Sequence, residues 1–100
     1  MNTDRLKAKI KCRSIRNPIL SKVLERDLDV PGAVIRDGVR ALRREGVPVG
    51  ACSDGYFMAE SFAEIEPTIM DLKSRIQSLS VTAKKLGEAF NIDIQTDLFT

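Results

Sequence analysis

Residues 28–58 read LDVPGAVIRDGVRALRREGVPVGACSDGYFM, and the order of elements in this stretch decides the fold. Ile35, Val39 and Leu42 are spaced four and three apart, so they share one face of a helix. Asp29-Val30-Pro31-Gly32 is the turn that leads into it. Pro31 suits the first helical position, where its missing N–H would have had no partner anyway. The helix is expected to run to about Glu45 and to be stopped by Gly46 just beyond its end. Val47 and Val49 then alternate around Pro48, and Tyr56-Phe57-Met58 is a second apolar run. Ser53-Asp54-Gly55 between the two runs has hairpin-turn chemistry. A helix followed at once by a two-stranded hairpin is the expected core motif. Tyr56, Phe57, Cys52 and Met58 are read as its packing residues.

Outward from that stretch the pattern is helical on both sides. Residues 4 to about 14 predict a first helix, with Leu6 and Ile10 one turn apart. Asn17-Pro18 interrupts it, because a residue before proline avoids helical geometry. A second short helix is expected from Pro18 or Ser21 to Leu28, with Leu20, Val23, Leu24 and Leu28 on one face. Downstream, Ser61 and Glu64 form a capping box. Ile65, Ile69, Leu72, Ile76, Leu79, Ala83, Leu86 and Phe90 follow with alternating steps of four and three, an unbroken heptad seam. Pro67 falls inside this stretch, where it is either tolerated in the first turns or kinks the helix. The seam is expected to dimerise the protein; its rival is a helix folded back on its own domain.

Composition narrows the function classes. The chain is 43% apolar and 30% charged, which excludes a disordered polypeptide. No apolar run approaches the roughly 20 residues of a membrane helix. The N-terminal MNTDRLKAKIKCRSIRN lacks the apolar centre of a signal peptide, so a cytoplasmic protein with no membrane partner is expected. There is no histidine, and Cys12 and Cys52 stand far apart in sequence. Reduced thiols are expected, with no metal site and no cofactor. Without histidine, a phosphate loop or a nucleophile elbow, an enzyme is not expected. The net charge of +2 conceals a split: residues 1–58 hold 12 Lys and Arg against 7 acids, and residues 59–100 hold 4 against 7. A basic first part suggests an anionic partner for it.

Residues 18–60 resemble winged helix-turn-helix DNA-binding proteins of bacterial and phage type. The resemblance rests on Leu28, Val30, Ile35, Val39, Leu42, Arg43, Gly46, Val47, Pro48, Val49, Gly55, Tyr56 and Phe57, which fall in register with the helix-to-wing pattern of that family. Pro31 and Gly32 depart from it at the usual Ser cap, and Asp37 and Gly38 depart from it within the helix. The resemblance implies an α+β fold: a winged helix-turn-helix of three helices plus a two-stranded wing over residues 1–60. A long C-terminal coiled-coil-like helix over 61–90 and a short tail over 91–100, extended or mobile, follow. It also implies that the third helix enters a major groove of duplex DNA. With Ile35, Val39 and Leu42 turned inward, Ala33, Arg36, Asp37 and Arg40 project outward. Arg36 and Arg40 are one turn apart and can fork to guanine or to phosphate. Arg43 and Arg44 either contact phosphate or complement the helix macrodipole. Lys7, Lys9, Lys11, Arg13 and Arg16 either flank the backbone or form a solvated face.

The tail carries a separate signal. Gln95, Asp97, Leu98 and Phe99 resemble the peptide by which bacterial proteins dock on the replicative sliding clamp, with Thr96 departing from it. An extended end can seat two apolar side chains in a pocket; the alternative is that they pack on this protein itself. The expected function is a DNA-binding winged-helix regulator or adaptor of phage or prophage type, acting as a homodimer. The alternatives are a replication or recombination accessory protein that docks on the clamp, and a winged helix used for protein contacts alone.

Overall fold

The computed structural model describes residues 2–93. They form four helices and one two-stranded antiparallel sheet: α1 (Thr3–Lys11), α2 (Ser21–Leu28), α3 (Gly32–Arg44), β1 (Val49–Cys52), β2 (Gly55–Met58) and α4 (Phe62–Glu88). The chain divides into two compact units, Met1–Thr68 and Ile69–Thr100, with the boundary inside α4.

The first unit is built around one apolar core. Leu6 and Ile10 of α1, Leu24 and Leu28 of α2, and Ile35, Val39 and Leu42 of α3 meet there with Ile19 and Val49. Val23, Val30, Val47, Tyr56 and Met58 pack around them. The helical spacings read from the sequence are therefore the ones that face inward. Leu20 is the exception: it caps α2 with extended backbone and is exposed.

Local chemistry fixes the element ends. Asn2 caps α1, its side-chain oxygen accepting from the Asp4 N–H at 2.8 Å. α1 ends at Lys11, earlier than the spacing suggested, because the chain turns at Cys12 and the Arg13 N–H bonds back to the Ile10 carbonyl. Asp29 ends α2 in the left-handed conformation, which a short polar side chain tolerates. Pro31 is the cap of α3 rather than its first residue, and it offers no side-chain oxygen. The Glu25 carboxylate instead sits beside Gly32, where a Cβ would lie 3.4 Å from it; a negative group there suits the helix N-terminus. α3 closes in a Schellman motif: the Val47 N–H reaches the Leu42 carbonyl and the Gly46 N–H reaches the Arg43 carbonyl, both at 3.0 Å. Gly46, at φ 88°, supplies the left-handed residue.

The hairpin pairs Val49 with Met58, Gly50 with Phe57, Ala51 with Tyr56 and Cys52 with Gly55, leaving Ser53-Asp54 as the loop. Ile19 adds a bridge on the other side of β2: its N–H and carbonyl both bond to Tyr56, each at 2.8 Å. Phe57 is buried and Met58 half-buried, as packing residues should be, whereas Cys52 is exposed at the end of β1. A strand this short leaves its tip without cover. The free edge of β1 is capped by α4, since the Ala51 N–H donates to the buried Thr68 hydroxyl at 3.2 Å.

α4 begins at the anticipated capping box. The Ser61 hydroxyl accepts from the Glu64 N–H, and the Glu64 carboxylate accepts from the Glu60 N–H at 3.1 Å. The helix continues past Pro67 without a break. It ends in a second Schellman pattern: Asn91 is left-handed, the Ile92 N–H bonds to the Gly87 carbonyl and the Asn91 N–H to the Glu88 carbonyl. No helix among the described residues is long and apolar enough to cross a membrane.

Candidate nucleic-acid interface

α3 carries its apolar residues on one side and its charges on the other. Ile35, Gly38, Val39 and Leu42 are buried, and Ala33, Arg36, Asp37, Arg40 and Arg44 are exposed. Gly38 therefore lies on the inner side of the helix rather than on the outward face. It lines a shallow groove with Thr3, Val34, Asp37 and Ala41.

Arg40 and Asp37, one turn apart, form an exposed ion pair at 3.2 Å. Such a pair contributes little stability in water, so Arg40 can leave Asp37 for a stronger anion. Arg36 is exposed beside it. Arg43 stands apart from this group: its Nε donates to the Val49 carbonyl at 2.8 Å, tying the end of α3 to β1. Sequence spacing assigned Arg43 to the macrodipole or to phosphate. The structural tie was missed because it depends on where the chain returns after Gly46. Arg44 remains exposed at the helix end.

The hairpin offers a different surface. Ala51, Cys52, Ser53 and Asp54 are exposed, and no Lys or Arg occurs between Arg44 and Lys73. Contact with phosphate through a cation on the hairpin is therefore not available to this chain. Cations do surround α1, where Arg5, Lys7, Lys9 and Lys11 are exposed and Arg13 is half-buried. Lys9 pairs with Asp27 of α2 at 3.5 Å, and Arg26 pairs with the same carboxylate at 3.3 Å. Partial burial alone would raise the Asp27 carboxyl; the Arg26 hydrogen bond and the Lys9 and Arg26 charges outweigh it and hold the group below its usual range. The tie between α1 and α2 is thus present at neutral pH and is lost as the pH falls through that lowered value.

The seam is more exposed toward the C-terminal end of α4, and Phe90 lies beyond that end. Ile65, Ile69 and Ile76 are half-buried, whereas Leu79, Leu86 and Phe90 are 69%, 67% and 80% exposed. Leu72 and Ala83 are exposed as well. Gln95, Asp97, Leu98 and Phe99 lie outside the described residues. No group of three or more His, Cys, Asp or Glu side chains that could hold a metal occurs among the described residues. Neither a family model, nor a curated protein, nor a solved structure matches the chain.

Proposed function

We propose that this protein is a winged-helix DNA-binding regulator or adaptor that engages duplex DNA through α3 as a homodimer. The observation that carries the reading is the exposed face of α3, where Ala33, Arg36, Asp37 and Arg40 stand together on a helix anchored by its opposite side. The element order, with Ile19 bridging to a hairpin that follows the third helix, supports the winged arrangement. A helix of this kind fits a major groove, where a guanidinium can bond bidentately to guanine. Ala33 is small enough to allow close approach, and Asp37 can accept from a cytosine amino group.

The coiled stem is the second part of the proposal. Ile69 and Ile76 occupy a positions of the heptad, and Leu72, Leu79 and Leu86 occupy d positions. β-branched residues at a with leucine at d favour two strands. The exposed leucines then have a partner in a second copy of the same helix.

Arg36→Ala combined with Arg40→Ala tests the assignment of the face. If the pair reads bases, each change costs about 1–3 kcal/mol and flattens discrimination between sequences. If it touches phosphates alone, affinity falls evenly for all duplexes and the salt dependence weakens. Fluorescence anisotropy on labelled duplexes measures both quantities. A double variant indistinguishable from the parent in both would remove α3 from the interface.

A further inference from the structure

α1 and α3 each hold four Lys and Arg against one acid, and the loop behind α1 adds Arg13 and Arg16. Residues 1–16 hold six Lys and Arg against one acid, whereas residues 17–58 hold six of each. The whole excess of the first part therefore lies on α1 and the loop behind it. On α3, Arg40 is paired with Asp37 and the Arg43 Nε is turned into the fold. Among the described residues, no carboxylate is within ion-pair distance of Arg5, Lys7 or Lys11.

The arrangement on α1 is ordered. Leu6 and Ile10 point into the core and are fully buried. At 100° per residue, Ala8 falls opposite them at the centre of the exposed side, with Asp4 beside it in the first turn and Cys12 capping the end of the helix. Lys7 and Lys11 lie along one flank of Ala8, and Arg5 and Lys9 along the other. Neighbouring cations on each flank are one turn, or about 6 Å, apart along the axis. The outer surface is thus two rows of long cations on either side of Ala8, with Asp4 standing between the rows in the first turn.

We propose that α1 is a second electrostatic contact with the duplex, its Ala8 side set against the sugar-phosphate backbone and its flanking cations bonded to phosphates. The proposal rests on the DNA reading above and adds a second surface to it. A duplex suits this face because it presents a charge about every 1.7 Å of its axis, dense enough to engage both rows together. An anionic membrane suits it less: interfacial helices bury large apolar side chains on the face they insert, and the outer face of α1 carries none.

The test compares Arg5→Gln/Lys7→Gln/Lys11→Gln with Arg75→Gln/Lys84→Gln/Lys85→Gln, which removes the same charge from α4. All six positions are exposed, so both variants should keep the parent's thermal unfolding. The α1 variant should bind duplex on the order of tenfold more weakly, with a salt slope shallower by about 0.9 for each lost phosphate contact. The α4 variant should bind like the parent. A second readout uses Cys52→Ser, leaving Cys12 as the one thiol: added duplex should slow its reaction with a bulky maleimide, and the labelled protein should no longer bind. Equal losses in the α1 and α4 variants, or unprotected Cys12, would overturn the proposal, as would binding to phosphatidylserine vesicles without binding to duplex. If Arg36→Ala/Arg40→Ala weakens binding and the α1 variant does not, α1 is excluded while the reading of α3 stands.

Discussion

Leu79→Asp combined with Leu86→Asp is expected to convert the protein from a dimer into a monomer. Both side chains stand exposed on α4 at successive d positions of the heptad. In a two-stranded pairing each protomer buries both, so the change removes four leucines from one interface and puts carboxylates in their place. Full burial of a leucine contributes about 1.5–3 kcal/mol. Even the lower figure, summed over the four, exceeds the roughly 5.5 kcal/mol that corresponds to four decades in a dissociation constant. The first unit keeps its own core, which includes neither residue, and its secondary structure should persist. Light scattering at micromolar concentration reads the mass directly. A parent protein that is monomeric there contradicts the pairing, and a variant that remains dimeric shows that the seam is not the interface.

Gly55→Ala is expected to destabilise the first unit strongly, and Gly46→Ala serves as its control. Both glycines have positive φ, 128° and 88°. A Cβ on Gly46 meets nothing within 4 Å, so its cost is confined to backbone strain of about 1 kcal/mol. A Cβ on Gly55 falls on the Ile19 carbonyl, which accepts the Tyr56 N–H and holds the hairpin against the helices. Backbone strain of about 1–3 kcal/mol is then joined by two disrupted hydrogen bonds of about 0.5–1.5 kcal/mol each. For a domain of this size each kcal/mol lowers Tm by about 4–8 °C. Gly55→Ala should therefore lose about 10 °C or more in a circular-dichroism melt, with Gly46→Ala losing clearly less. Equal shifts for the two would mean that the Ile19 bridge does not hold the hairpin.

Much of the first unit was legible in the sequence because its elements carry strong local signals. The four-and-three spacing of Ile35, Val39 and Leu42 survives as the buried side of α3, and Gly46 ends that helix by the hydrogen bonds its position implied. The capping box at Ser61 and Glu64 is also where it was expected. Features that depend on distant partners were not legible. A single residue has no periodicity, so the bridge made by Ile19 left no mark beyond the proline before it. Gly38 stood as a departure from the family pattern within the helix, and the fold places it on the buried side. Arg43 looks like Arg44 in sequence, and only the return of β1 separates the one that bonds to Val49 from the one left exposed. For the interface, the outward residues of α3 followed from phase alone. Which cations of α1 and α3 face carboxylates was visible only in the fold. The heptad of α4 specifies an apolar stripe and does not by itself name what covers it.

If the folded protein binds duplex DNA through its cationic helices as proposed, its affinity for a labelled duplex depends on salt. Anisotropy titrations between about 50 and 200 mM salt should give a logarithm of affinity that falls linearly with the logarithm of salt, by about 0.9 for each phosphate neutralised. A protein that shows no binding at about 50 mM, the condition most favourable to such contacts, would contradict the account.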